Sequence, residues 1–228
     1  MNTFLFNTMD FAQSWSAEAL LEYIHPEMHV LVIPLMANDG WIADILAFND
    51  EYSANEQYSE TFSRLGIPEN HIQVADIYEL SRDVLVRRIR ECDVVCLVSD
   101  NTEYAINMLE DFGLIEILHW YEGILIGVGE CVKILSHTYE SDTDRELHYG
   151  VSRYHDVYVY PGFERSLRDY EHIIRYLEEK GDQVIILDIH GGVCITDQQI
   201  EVLGDAFIAS EKDLDTLYQL YEEEYLGI

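Results

Sequence analysis

Two short polar segments of this chain carry side chains that can do chemistry, and each follows a stretch of apolar residues. The first is Ser99-Asp100-Asn101-Thr102, and the second is Gly129-Glu130-Cys131. Hydroxyl and thiol groups are potential nucleophiles, and carboxylates can bind a cation or an amine. The carboxyl ends of neighbouring parallel strands meet at one edge of a sheet, where ligands of α/β proteins usually bind. The sequence therefore predicts a ligand site at this edge.

Each reactive side chain near these segments also has a purely structural interpretation. Cys131 lies in the first turn of a predicted helix, where the dipole favours a thiolate, but we expect it to pack in the core. Ser99 is expected to serve a turn or a helix cap rather than to attack a substrate. His148 and His155 flank an acidic loop and are expected at the surface, although either could supply a base.

The acidic residues near the same edge offer a second kind of chemistry. Asp100, Glu130 and the 140–144 loop could hold a hard metal ion. None of them follows the spacing of a known metal motif, so we predict neither a metal nor a cofactor.

Segments of strand length alternate with segments of helical periodicity along the chain. The predicted strands are Thr3–Asn7, His29–Leu35, Ile72–Ile77, Asp93–Val98, Ile124–Val128, Val157–Tyr160 and Gln183–Leu187. The predicted helices are Trp41–Gly66, Ser81–Glu91, Asn101–Gly123 in two pieces, Cys131–Thr138, Ser166–Lys180 and Leu214–Tyr225. A loop is expected over 139–153, and a hairpin around Asp197-Gln198-Gln199.

The repeated β-α-β order predicts an α/β fold. We expect three layers, with a mostly parallel sheet flanked by helices and a late antiparallel hairpin. With 228 residues, of which 48% are apolar, the chain is expected to form a single domain over 1–228.

Charge narrows the range of partners. The chain has 44 Asp and Glu against 13 Lys and Arg, which gives a formal net charge of −31. Such a polyanion repels nucleic acids and anionic lipids, so we predict neither as a partner. The acids are spread along the chain, which favours a highly charged solvated surface; a basic protein partner is the alternative.

The remaining composition favours the cytoplasm. Cys92, Cys96, Cys131 and Cys194 form no CxxC pair and are expected to be reduced thiols. No apolar run approaches the roughly 20 residues of a membrane span. The amino terminus, Met1-Asn2-Thr3-Phe4, has no basic region, so we expect no signal peptide.

Three stretches together resemble the dipeptidase E and cyanophycinase family of serine peptidases, which has a class I glutamine amidotransferase-like fold. They are CDVVCLVSDNTEYAINMLEDFGLIEIL (Cys92–Leu118), ILIGVGECVKIL (Ile124–Leu135) and LDIHGGVCITDQQIEVLG (Leu187–Gly204). In the family, the first contains a Gly-Gly-Asn-Thr loop and the second a Gly-x-Ser-Ala-Gly nucleophile elbow. The third matches the family's closing hairpin.

The resemblance implies that the catalytic positions of the family are changed in this chain. The nucleophile position is Gly129, followed by Glu130-Cys131 in place of Ala-Gly. Ser99-Asp100 replaces the two glycines of the oxyanion loop, whereas Asn101 is retained. The position of the catalytic histidine, after Pro161, is Gly162. Its acidic partner is left open among Glu140, Asp142 and Asp144.

These changes have physical consequences if the resemblance holds. A nucleophile elbow strains the backbone of its central residue, and glycine adopts that conformation at the lowest cost. Gly129 therefore preserves the turn without an attacking atom, and we expect Gly129→Ser to fold with a modest loss of stability. The N–H of Glu130 would be one oxyanion donor, but the nearby carboxylates of Glu130 and Asp100 oppose an oxyanion.

Three functions remain open from the sequence. The first is a dipeptidase-E-like protein that has lost catalysis and acts as a binding or regulatory module, with a small peptide or an amino-acid-like molecule as ligand. The second is an active peptidase that uses displaced residues. The third is an acidic scaffold for a basic protein. A homo-oligomer is compatible with each of them.

Overall fold

A computed structural model describes residues 2–36, 57–75, 77, 79–141, 143–144, 146–151, 153, 158–196 and 199–226. Residues 41–56 of the predicted Trp41–Gly66 helix lie outside the described residues, whereas residues 57–64 are helical. The candidates Asp142 and His155, and the turn residues Asp197 and Gln198, also lie outside the described residues.

The centre of the structure is an eight-stranded sheet in the order β10-β9-β1-β5-β4-β2-β3, with β8 paired to β9. Its strands are β1 (Thr3–Phe6), β2 (Val30–Pro34), β3 (Ile72–Val74), β4 (Val94–Ser99), β5 (Ile124–Gly129), β8 (Tyr158–Tyr160), β9 (Val184–Ile195) and β10 (Ile200–Ala209). Two further strands, β6 (Thr138–Glu140) and β7 (Leu147–Tyr149), form a separate antiparallel pair.

Five strands lie side by side in the order β1-β5-β4-β2-β3, and each pair of neighbours among them is parallel. The long strand β9 runs antiparallel to β1 through residues 192–195 and pairs with β10 as an antiparallel hairpin. The predicted fold class is therefore confirmed: the sheet is mostly parallel, flanked by helices, and has a late hairpin.

Alternate residues of the central strands enter separate apolar cores on the two faces of the sheet. Phe4 and Phe6 of β1 join the core that is covered by α1 (Ala17–Leu21) and α2 (57–64). Leu5 joins the opposite core, which is covered by α3 (Arg82–Glu91), α4 (Thr102–Asp111), α5 (Ile115–His119) and α6 (Cys131–Ile134). Both faces of β1 are therefore buried, as its continuous apolar sequence predicts.

A third core joins the two carboxyl-terminal helices to β8 and the first half of β9. The helices are α7 (Leu167–Lys180) and α8 (Leu214–Leu226). The Ser166 side chain caps the beginning of α7 by accepting a hydrogen bond from the N–H of Asp169. Gly181 ends the helix with a φ of 70°. Within the part of the chain that the structure describes, no helix is long and apolar enough to cross a membrane.

Three sequence-based boundaries were wrong. The loop expected over 139–153 contains most of the β6–β7 pair. Helix α6 ends at Ile134 rather than Thr138, because Ser136 turns the chain through hydrogen bonds to the carbonyls of Lys133 and Thr138. The strand predicted over Gln183–Leu187 is the first part of a longer strand, β9 (Val184–Ile195).

Buried Arg153 fixes the turn between α5 and β5. Its guanidinium donates to the carbonyls of Leu118 (3.3 Å), His119 (3.0 Å) and Gly123 (3.4 Å). A positive group at the carboxyl end of α5 also suits the helix dipole. Arg153 therefore satisfies several backbone acceptors that the end of this short helix leaves without partners.

We expect Arg153→Met to lower the free energy of unfolding by about 3 kcal/mol, because buried carbonyls lose their donors. Urea denaturation at neutral pH measures the loss. Arg87→Met, at an exposed position of α3, is the matched control and should change stability by less than about 0.5 kcal/mol. Equal stabilities of the two variants would contradict this role of Arg153.

Candidate functional site

Gly129 forms a sharp turn between β5 and α6 at the carboxyl edge of the sheet. Its φ is 63°, in the left-handed region that glycine tolerates best. Gly129 is still paired with Ser99 as the last residue pair of β4 and β5. The next N–H, that of Glu130, donates to the carbonyl oxygen of Ser99 at 2.9 Å.

The carbonyl of Ser99 occupies the space that a side chain at position 129 would need. A Cβ atom built on Gly129 collides with this oxygen. The expectation that Gly129→Ser costs little stability is therefore wrong, because the serine has to displace backbone that is itself hydrogen-bonded to Glu130.

The other predicted residues of the first segment have local structural contacts. The Ser99 hydroxyl lies 2.7 Å from the carbonyl oxygen of Leu35 and accepts the N–H of Asn101 at 3.1 Å. The Asn101 side chain accepts the N–H of Tyr104 at 2.8 Å and so caps α4. Asp100 is exposed beside them.

Glu130 links the turn to two residues that were not predicted as its partners. Its carboxylate accepts the hydroxyl of Thr102 at 2.6 Å and pairs with the ammonium group of Lys133 at 2.7 Å. Lys133 is only 9% exposed, so this positive charge lies close to Glu130 in a poorly solvated place. The sequence spacing of Glu130 and Lys133, one helical turn, could have indicated this pair.

Cys131 is completely buried beneath the turn. Burial raises the pKa of its thiol well above the ordinary value, and the carboxylates of Glu130 and Asp100 raise it further. The thiol is therefore protonated at neutral pH and has no exposed surface. This burial agrees with the expectation that Cys131 packs in the core.

Gly162 lies at the same edge of the sheet, on the loop between β8 and α7. Its φ is 70°, and its N–H donates to the side-chain oxygen of Asn7 at 2.9 Å. A Cβ atom built on Gly162 meets no other atom within 4 Å. Asn7, which directly follows β1, was not predicted, although the rule that selected Ser99 and Gly129, the carboxyl end of a parallel strand, applies to it as well.

Asp169 holds the loop of Gly162 in place. Its carboxylate accepts the N–H groups of Glu164 and Ser166, each at 3.0 Å, and the hydroxyl of Tyr160 at 2.8 Å. Burial alone would raise the pKa of Asp169, but these hydrogen bonds outweigh it and hold the pKa below the ordinary value of an aspartate. Asp169 is therefore an anion that anchors the loop.

The two described candidates for the acidic triad member, Glu140 and Asp144, each lie beside a histidine. Glu140 pairs with Arg175 of α7 at 2.6 Å and lies 3.8 Å from the His172 ring. Asp144 pairs with His148 at 3.0 Å, and the N–H of Glu146, together with this ring, lowers the pKa of Asp144. Among the described residues, no three His, Cys, Asp or Glu side chains are grouped as metal ligands.

Comparison with known proteins shows the fold. No protein-family model and no curated protein sequence matches the chain. A candidate peptidase E protein from Listeria monocytogenes EGD-e has a similar structure, with a TM-score of 0.65 and 13% identity over 88% of this chain and 96% of that one. A peptidase from an acI-B1 actinobacterium has a TM-score of 0.65 and 16% identity over 92% of this chain and 91% of that one. The chain therefore has a peptidase-E-like fold, which confirms the resemblance at this level.

Gly129 and Gly162 provide a matched pair for testing the crowded turn. Both have a positive φ, but only Gly129 has backbone in the way of a side chain. We expect Gly162→Ala to cost about 1 kcal/mol of unfolding free energy for the left-handed conformation. Gly129→Ala should cost about 3 kcal/mol, because overpacking adds to that strain.

Chemical denaturation of the two variants beside the parent protein measures this difference. Equal losses at positions 129 and 162 would contradict the collision with Ser99.

A second prediction concerns pH. Because the pKa of Asp169 is lowered in the folded state, its contribution to stability is present above the unfolded-state pKa and is lost as pH falls through the folded-state pKa. We expect Asp169→Asn to lose about 2 kcal/mol of unfolding free energy at neutral pH, and the difference from the parent to shrink in acid.

Urea denaturation from neutral pH to about pH 3 tests this linkage. Asp182→Asn, at an exposed position after α7, is the control and should follow the parent at each pH. A pH-independent deficit of Asp169→Asn would contradict an anchoring role that depends on charge.

Proposed function

We propose that this protein has lost the serine peptidase activity that its fold suggests and that it acts as a binding or regulatory module. The observation that carries the proposal is the hydrogen bond from the Glu130 N–H to the Ser99 carbonyl. In a serine peptidase with a nucleophile elbow, the N–H after the nucleophile must point at the developing oxyanion. Here the corresponding donor is already used within the sheet.

The oxyanion would therefore lose more than one stabilising interaction. Removing one oxyanion donor costs about 3 kcal/mol of transition-state stabilisation. The Ser99 carbonyl also presents partial negative charge at the place where a negative oxygen would form. The carboxylates of Asp100 and Glu130 add to this unfavourable field, although Lys133 offsets that of Glu130.

The side chains that could replace the missing nucleophile are not activated. A serine or cysteine nucleophile needs a base within hydrogen-bond distance or a lowered pKa. Ser99 is buried, and the hydrogen-bond partners of its hydroxyl among the described residues are backbone groups. Cys131 is buried and has a raised pKa. Neither environment favours an attacking anion.

Loss of the histidine position supports the same proposal. Gly162 has no imidazole, and its N–H is bound to Asn7. The open space beside Gly162 leaves room at the edge of the sheet for a small peptide or an amino-acid-like molecule, which we propose as the ligand class. All four cysteines are free thiols, which is in keeping with a reducing compartment, and we propose the cytoplasm.

Assays for turnover and covalent labelling test the loss of activity. Purified protein is incubated with dipeptides that begin with aspartate, with a fluorophosphonate serine probe and with iodoacetamide. We expect no hydrolysis and no fluorophosphonate adduct, and no alkylation of Cys131 in the native state, because its thiol is buried and protonated. A known serine peptidase, labelled in parallel, shows that the probe is reactive.

Two variants separate displaced catalysis from contamination. Hydrolysis that persists in both Ser99→Ala and Cys131→Ala would indicate a contaminant or another nucleophile. Hydrolysis that either variant abolishes, without loss of the folded state by circular dichroism, would overturn the proposal in favour of a peptidase with displaced residues.

A further inference from the structure

The edge of the sheet opposite Gly129 contains an open groove with a volume of about 920 Å³. The groove lies at the amino ends of β1, β4 and β5, whereas the Gly129 turn follows their carboxyl ends. Its walls include Tyr121 and Trp120 from the turn after α5, and Met28 from the segment before β2. The volume is in the range of ligand sites, about 300–1,000 Å³.

Trp120 is displayed on the rim of this groove. Its side chain is 71% exposed, although tryptophan is usually largely buried in a folded protein. Its ring makes an edge contact with the His119 ring, with 4.6 Å between their centroids. Most of the indole surface therefore remains available to a partner.

The turn that carries Trp120 is held rigidly by its neighbours. Arg153 binds the carbonyls on both sides of it, those of His119 and Gly123. The His119 ring contacts the carbonyl oxygen of Val151 at 3.0 Å, and the Tyr121 hydroxyl donates to the carbonyl of Cys92 at 2.9 Å. Because the backbone of this turn is already held in place, little backbone entropy is lost when a ligand binds to it.

The charges along the groove favour a cation. Among the described residues that line it, Asp93, Glu116 and Glu122 outnumber the one cation, Arg90. None of these four forms an ion pair with another described residue, and the Arg153 guanidinium behind the turn is directed at the backbone carbonyls of His119 and Gly123. Asp93 is oriented by the N–H of His29, which donates to one of its oxygens at 2.8 Å. The net charge of −31 adds long-range attraction for a positively charged partner.

We propose that this groove binds an arginine side chain of a peptide segment. A guanidinium group is planar, stacks on an indole face and donates to carboxylates in a forked geometry. Trp120 supplies the face, and Glu116 and Glu122, on either side of it in the sequence, supply the carboxylates. The groove is distinct from the Gly129 turn, so the proposal holds whether or not that turn is catalytic.

Binding is tested with a blocked Gly-Arg-Gly peptide and with the same peptide containing citrulline. Citrulline has nearly the shape of arginine but is neutral. In ¹H–¹⁵N NMR spectra, the Trp120 indole resonance is assigned by its disappearance in Trp120→Ala. We expect this resonance to shift saturably as the arginine peptide is added. The citrulline peptide should bind at least about tenfold more weakly.

Three variants locate the interaction, with affinities measured by calorimetry. Trp120→Ala and the double variant Glu116→Gln/Glu122→Gln should each bind the arginine peptide about tenfold more weakly. The control Glu179→Gln/Glu222→Gln removes the same charge at exposed positions of α7 and α8 and should bind like the parent.

Several results would overturn the proposal. They are the absence of a saturable shift in the parent protein, equal affinity for the citrulline peptide, and unchanged affinity in Trp120→Ala. An equal loss in the Glu179→Gln/Glu222→Gln control would overturn it too, since that result indicates general attraction to a polyanion rather than a site.

Discussion

The hydrogen bond between the Glu130 N–H and the Ser99 carbonyl is the constraint on which the carboxyl edge of the sheet depends. It continues the pairing of β4 and β5 to the final residues of both strands. A donor that could face a substrate is thereby used in holding two strands together. The glycine at position 129 follows from the same contact, because any larger residue collides with the carbonyl.

Much of the fold, but less of the site, could be predicted from the sequence. Strands such as β4, buried on both faces, have continuous apolar sequences, and Gly129 was placed correctly at the end of β5. The β6–β7 pair was missed because each of its strands has three residues, which is too short for a period of two to be recognised. The contact between Asn7 and Gly162 spans 155 residues, so no local pattern encodes it.

The two edges of the sheet differ in how their polar groups are used. At the carboxyl edge, Ser99, Asn101 and Glu130 form hydrogen bonds within the chain. At the amino edge, Arg153 satisfies the backbone of the turn, while Trp120, Glu116 and Glu122 remain exposed. Exposed aromatic and charged groups on a fixed backbone are typical of recognition surfaces, so the amino edge has the features of such a surface, separate from the open space beside Gly162 at the carboxyl edge.

The position of β1 has a consequence for folding. Its neighbours in the sheet are β5 and the end of β9, so Phe4 lies beside Ile126 on one side and Cys194 on the other. Contacts so distant in sequence form slowly, and an apolar strand without neighbours invites aggregation. The central sheet is therefore completed only when segments more than 100 residues apart come together, and until then the apolar residues of β1 are open to association with other chains.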